Sequence, residues 1–274
     1  TIRRLHDKIT TAVAVSPSSV GEQGFLTGEV GLLPIQQWFF TQAFVKGQHW
    51  NQSFLIKTPV LDITRLQVCL QQLVMHHDAF RLRFREQDGK MEQYYVDELA
   101  SVSVSELDVC GLSATSLEAH MTAWQSGFNW TTGPMYHFAY LHGYADGSSR
   151  IYVAMHHLLV DAVSWRIVAD DLESLYAGRS LNSKGSSYRQ WGKALEDYAV
   201  QHPQEQRYWD ALLQDLAELP LFEKRKTVHV AAIELEESST AYLLREANTA
   251  YHTQINDLLL TALAYALHDV SGEW

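Results

Sequence analysis

Two hydrophobic periods alternate along the chain, and the switches between them predict its elements. Leu32-Leu33-Pro34-Ile35-Gln36-Gln37-Trp38-Phe39-Phe40 opens the pattern, with Pro34 suited to a first helical turn. Asn51 to Lys57 reads as a strand. From Asp62, apolar residues fall at Ile63, Leu66, Leu70, Leu73 and Val74, the spacing of one helix face, and Asp62 stands where a cap belongs. Phe80, Leu82 and Phe84 then alternate with Arg81, Arg83 and Arg85, which predicts a strand with one buried face. Asp88-Gly89 supplies hairpin turn chemistry, and Met91 to Val96 returns as its partner. A helix is expected near Ser116 to Gly127, then a second hairpin of Met135 to His142 and Arg150 to His156. Val163, Ile167, Leu172, Leu175 and Tyr176 restore helical spacing, closed by Gly178. Two helices over Tyr188 to Ala217, a strand near Val228 to Leu235, and helices near Ser239 to Asn248 and Gln254 to Leu267 complete the reading. Helices interleave with hairpin-joined strands, so the predicted class is α/β with a mixed sheet.

Composition narrows this picture. The chain has 274 residues, 46% of them hydrophobic, enough to bury a sizeable core as one large domain or two lobes. Residues 1–30 are rich in Ser, Thr and Gly and read mostly as a linker. The net charge of −11 argues against a nucleic-acid partner. No apolar run is long enough for a membrane span, and no signal peptide is evident, so the expected setting is cytoplasmic. Two cysteines, Cys69 and Cys110, make no disulfide framework, and Cys69 falls on the apolar helix face.

Phosphate-loop, dinucleotide, serine-hydrolase and zincin motifs are absent from the sequence. What remains is the junction after the strand Ile151-Tyr152-Val153-Ala154-Met155, which delivers His156 and His157, a short apolar run, and Asp161 at a helix start. Side chains alternate along a strand, so the two imidazoles point opposite ways. From the residues alone three readings stand: a general base, a hydrogen-bonded core pair, or zinc ligation, the last weakened by the lack of nearby cysteines. Asp161 fits a helix cap accepting from the amides of Val163 or Ser164. His76-His77, at a predicted helix end, reads as structural, favoured by the helix dipole.

His156-His157-Leu158-Leu159-Val160-Asp161-Ala162-Val163-Ser164-Trp165 resembles the His-His-x-x-x-Asp signature of the condensation superfamily of nonribosomal peptide synthetases, and Val-Ser-Trp resembles its epimerization branch. Pro34-Ile35-Gln36-Gln37-Trp38-Phe39 is similar to the opening motif of that branch. His77-Asp78-Ala79-Phe80-Arg81-Leu82-Arg83-Phe84 and Asn256-Asp257-Leu258-Leu259-Leu260-Thr261-Ala262 resemble two further family segments. The resemblance implies a chloramphenicol-acetyltransferase-like lobe over residues 31–180. It also implies connecting helices and the start of a second, similar lobe over 181–274. His157 would be the catalytic residue, His156 its support, and Asp161 a structural residue paired with Arg81. Ser164 and Trp165 become candidate substrate contacts. The implied activity is epimerization of an aminoacyl or peptidyl thioester, an isomerase reaction, or alternatively amide-forming condensation or carrier docking alone. The partners would be a peptidyl carrier domain and adjacent adenylation and condensation domains. No cofactor or metal would be bound, since the phosphopantetheine arm belongs to the carrier. Ala162 stands where the family often has glycine. The family's second acid/base, in a Glu-Gly-His-Gly-Arg-Glu segment, has no counterpart in these 274 residues, so the isolated chain is expected to be inactive unless completed.

Overall fold

The computed structural model describes residues 21–98, 101–216 and 232–272. The chain divides into two compact units after Gln201. In the first, the chain order is β1 (Gly28–Val30), α1 (Pro34–Thr41), β2 (Asn51–Thr58), α2 (Ile63–His76), β3 (Leu82–Gln87), β4 (Lys90–Tyr95), β5 (Val104–Asp108), α3 (Ala114–Gln125), β6 (Tyr136–His142), β7 (Ser149–His156), α4 (Ser164–Tyr176) and α5 (Tyr188–Gln201).

Four strands form a mixed sheet in the order β2-β7-β6-β5, antiparallel except for the β5–β6 pair. One face is covered by α2 and α4. The side chain of Asp62 accepts from the amide of Arg65 at 3.0 Å and starts α2. That helix then buries Leu66, Cys69, Leu70, Leu73 and Val74 against Phe138, Ile151, Val153 and Met155, with Val168 and Leu172 from α4. Each fully buried leucine contributes about 1.5–3 kcal/mol of transfer free energy. Burial pushes the Cys69 thiol pKa up, as for an inert core residue. The other face packs Ala139, Leu141, Tyr152 and Ala154 under Leu117, Met121 and Trp124 of α3.

A smaller antiparallel sheet, β1-β4-β3, stands beside it. Its β3–β4 turn places Asp88 (φ 51°) and Gly89 (φ 73°) in the left-handed region, as a two-residue hairpin loop requires. Leu82, Phe84 and Tyr95 bury one side against Phe39 of α1 and Met135.

The structure departs from the sequence pattern in several places. Residues 21–30 are built into the fold rather than forming a linker. β1 pairs with β4, and Arg189 of α5 donates to Glu22 at 2.7 Å and to the Thr27 carbonyl at 2.9 Å. Residues 1–20 lie outside the described residues. Phe80 belongs to a 3-10 turn, Asp78–Arg81, and the strand begins only at Leu82. β5 escaped the period-2 test because it is a short edge strand with only half-buried Val104 and Leu107 as apolar positions. In α4 the buried stripe is Val168 and Leu172. Val163 precedes the helix, and Ile167 faces outward.

The second unit contains α6 (Pro203–Leu216), α7 (Glu237–Arg245), α8 (Ala247–Tyr251) and α9 (Ile255–Ser271). The side chain of Asp257 accepts from the Gln254 amide at 2.8 Å at the start of α9, and Gly272 closes it with φ 75°. Of the strand expected near 228–235, residues 228–231 lie outside the described residues, and Ala232 to Leu235 carry no strand. Among the described residues no helix is long and apolar enough to cross a membrane.

Candidate functional site

Strand β7 ends at His156, and the next amide, His157, donates to the Trp50 carbonyl at 2.8 Å, extending the β2–β7 ladder by one bond. The chain then turns through Leu158–Val163 into α4. The two imidazoles leave on opposite sides, as strand alternation requires.

His156 is fully buried. Its Nδ1 accepts from the Leu158 amide at 3.1 Å, and its Nε2–H donates to the Gly47 carbonyl at 2.8 Å. The rings of Phe39 and Trp130 meet it edge-on at centroid distances of 5.7 and 6.1 Å. Burial lowers its pKa to about 4; the Gly47 bond opposes this and His157 adds to it. With both nitrogens engaged, the ring is a neutral strut that fastens the 47–50 segment to the end of β7.

A pH dependence follows. The unfolded imidazole takes its proton near pH 6.5, the folded one only near 4. Between these values the unfolded state binds more protons, so stability is fully present above about 6.5 and falls as pH drops towards 4, by up to about 3 kcal/mol. Urea midpoints measured across that range should fall more steeply for the native protein than for His156→Asn. Equal slopes would contradict the assignment.

His157 is different. Its ring is exposed, with Nδ1 2.8 Å from the Val160 carbonyl and Nε2 3.1 Å from the side-chain nitrogen of Gln52. A carbonyl can only accept, so Nδ1 carries the hydrogen and Nε2 keeps its lone pair. Gln52 lies on the inner face of β2 with Phe54 and Ile56. Its Oε1 accepts from the Trp165 indole nitrogen at 2.9 Å. Sequence reasoning missed Gln52. The available signal was a polar residue sharing a strand face with Phe54 and Ile56. Trp165, expected as a substrate contact, has its N–H engaged by Gln52 and its ring against Phe54 at 4.5 Å.

Asp161 is exposed and caps the start of α4. Its Oδ1 accepts from the Val163 amide at 3.1 Å, the Ser164 amide at 2.8 Å and the Ser164 hydroxyl at 2.6 Å. These bonds, the Ser164 hydroxyl foremost, hold its pKa below the usual carboxylate range. Ser164 thus spends its hydroxyl proton on the cap.

The expected Asp161–Arg81 pair is not formed. Arg81 is fully buried and pairs with Asp78, three residues earlier, while donating to the Leu26 carbonyl at 2.7 Å and the Val96 carbonyl at 3.2 Å. Lys184 reaches the other Asp78 oxygen at 2.8 Å. The 3-10 turn brings Asp78 beneath Arg81, whereas the three local donors hold Asp161 at the helix start.

His77 Nε2 lies 2.7 Å from Asp171 and ties the end of α2 to α4. With His76 these groups bring candidate ligand atoms within 4.8 Å of one another. In the arrangement present the cluster acts as an interhelix tie. Burial, then the neighbouring His77, lowers the His76 pKa. A groove of about 990 Å³ is walled by Phe39, Phe40, Phe44 and Trp130 on the His156 side, and His157 does not line it.

Residues 27–273 match the family described as Condensation domain. The chain belongs to the condensation-domain family. It is 42% identical over 276 residues to N-(5-amino-5-carboxypentanoyl)-L-cysteinyl-D-valine synthase of Amycolatopsis lactamdurans, covering 100% of this chain and 8% of that protein. It is 33% identical over 275 residues to gramicidin S synthase 1 of Brevibacillus brevis, covering 90% of this chain and 24% of that one. The crystal structure of the epimerization domain from the third module of tyrocidine synthetase B superposes with a TM-score of 0.78 at 31% identity, over 93% of this chain and 61% of that chain. The first condensation domain of the calcium-dependent antibiotic synthetase, in complex with a substrate analogue, shares the fold at TM-score 0.70 and 18% identity, over 90% and 61% of the two chains. The fold is therefore chloramphenicol-acetyltransferase-like, and this condensation-family chain spans only part of the length of each relative.

Proposed function

We propose that this chain is the part of an epimerization domain that carries one acid/base, His157, for inverting the α-carbon of an aminoacyl or peptidyl thioester. The observation that carries the reading is the placement of the His157 ring nitrogens, with Nδ1 2.8 Å from the Val160 carbonyl and Nε2 on the other edge of an exposed ring. Its Nδ1–H is committed to the Val160 carbonyl, and its Nε2 lone pair stands on an exposed ring. Nε2 takes the α-proton as the Cα–H bond breaks, and the electron pair passes into an enolate of the thioester. Nδ1–H···O=C then steadies the imidazolium that forms. Reprotonation from the opposite face inverts the centre. That step needs a second group, which the family resemblance puts in a Glu-Gly-His-Gly-Arg-Glu segment not contained in these 274 residues. The substrate is the phosphopantetheine thioester of a peptidyl carrier domain, and the chain itself binds no cofactor.

The likeness to a tyrocidine synthetase epimerization domain supports this branch over condensation. So does a relative whose name states a D-valine product. The test is proton exchange. The domain completed to the length of its solved relative, mixed with a loaded carrier protein in deuterated water, incorporates deuterium at the α-carbon and inverts it. The 274-residue chain alone does neither. Amide formation with a second loaded carrier, and no exchange, would reassign the domain to condensation.

A further inference from the structure

We propose that Gln52 is a positioning residue that, oriented by Trp165, selects the tautomer of His157 and aims its Nε2 lone pair; this rests on the reading of His157 as a base. The relay starts at the indole. A tryptophan Nε1–H can donate and cannot accept. At 2.9 Å it therefore faces the carbonyl oxygen of Gln52, as observed. The amide nitrogen of Gln52 must then be the atom turned to His157, at 3.1 Å from Nε2. That nitrogen has only hydrogens to offer, so Nε2 must accept. The ring hydrogen is left to Nδ1, where the Val160 carbonyl receives it at 2.8 Å. The opposite tautomer would set hydrogens against hydrogens at Gln52 and a lone pair against the carbonyl at Val160. Three bonds agree on one proton position, and the donor-only indole begins the chain.

The scaffold fixes the relay in space. Gln52 stands directly opposite Met155 in the β2–β7 pairing, so its backbone is held by the central sheet. Two residues along the same face, Phe54 meets the Trp165 ring at 4.5 Å and 64°. Trp165 is in turn the second residue of α4. An imidazole nitrogen has one lone pair, so the Gln52 amide and an incoming Cα–H compete for it. Gln52 holds the basic tautomer and yields the position to substrate.

The experiment reads the tautomer directly. Long-range proton–nitrogen spectra of the ¹⁵N-labelled chain, at alkaline pH where imidazoles are neutral, identify His157 by its loss in His157→Ala. The native ring should show a protonated Nδ1 and a bare Nε2. Gln52→Glu replaces the donor with an acceptor-only carboxylate of the same shape and should draw a proton onto Nε2. Trp165→Phe keeps the ring against Phe54 and removes only the N–H. It should give a mixture of tautomers, and it tests the same point if Gln52→Glu does not fold. In the completed domain, Trp165→Phe should slow α-proton exchange about five- to tenfold, the scale of one neutral hydrogen bond. A native ring protonated at Nε2, or folded variants whose ring nitrogens match the native ones, would overturn the assignment. These spectra need no substrate. A completed domain that lacks exchange therefore sinks the proposed function while the tautomer result stands by itself.

Discussion

Replacing His157 with alanine in the completed domain should lower α-proton exchange by about 10²–10⁴-fold, the usual contribution of one positioned acid or base. The melting temperature should barely move. The ring is exposed and its partners are a backbone carbonyl and a glutamine amide, so its removal costs on the order of 1 kcal/mol or less. His156→Ala supplies the contrast. That ring is buried, and its loss leaves the Leu158 amide and the Gly47 carbonyl unpaired beside a cavity under Phe39 and Trp130. A cost of roughly 2–4 kcal/mol is expected. Exchange would fall with the folded fraction rather than through the chemistry. Thermal melts, carrier binding and deuterium incorporation measured on both variants separate the roles. If His157→Ala exchanged at the native rate, His157 would not be the base.

The division between these histidines was legible in the sequence because a strand imposes it. Ile151 to Met155 announces a buried strand, and alternation sends consecutive side chains apart. Which histidine would be the strut was not legible from the pattern. That depends on Gly47 and on the aromatic pair Phe39 and Trp130, all distant in sequence from His156. Gln52 was hidden for the same reason. Its partner Trp165 is 113 residues away, and periodicity says nothing about which polar groups two elements bring together.

The fold was readable where one element carries its own evidence. The α2 stripe with its Asp62 cap, the Asp88-Gly89 turn and the β6–β7 hairpin are local signals, and each appears where the pattern places it. β1 and β5 are strands only by partnership. β1 has three residues and borrows its order from β4. β5 lies at the sheet edge, parallel to β6, with polar residues on most of its length. Tertiary pairing decides such segments, not propensity.

The largest stability effect should come from Asp78 rather than from the motif aspartate. A family-style pairing of Asp161 with Arg81 would have made Asp161→Ala cost about 3–5 kcal/mol, the scale for stranding a buried charge. Here Asp161 is an exposed cap, and Asp161→Ala should cost about 0.5–2 kcal/mol. The larger figure moves to Asp78→Ala. The side chain of Asp78 is only 10% exposed and serves two cations, Arg81 at 0% and Lys184 at 14%. Removing the carboxylate leaves both with their charge and no counterion. Arg81 then keeps the Leu26 and Val96 carbonyls and the face of the Phe25 ring, while its buried Nε has no hydrogen-bond partner among the described residues. Arg81→Met is the informative third variant. It fills similar space and leaves Asp78 still paired with Lys184, so it should destabilise less than Asp78→Ala. Urea denaturation of the three variants should order them Asp78→Ala, Arg81→Met, Asp161→Ala from most to least destabilised. A larger loss at Asp161 than at Asp78 would mean that the motif aspartate, not the 3-10 turn, holds the buried arginine.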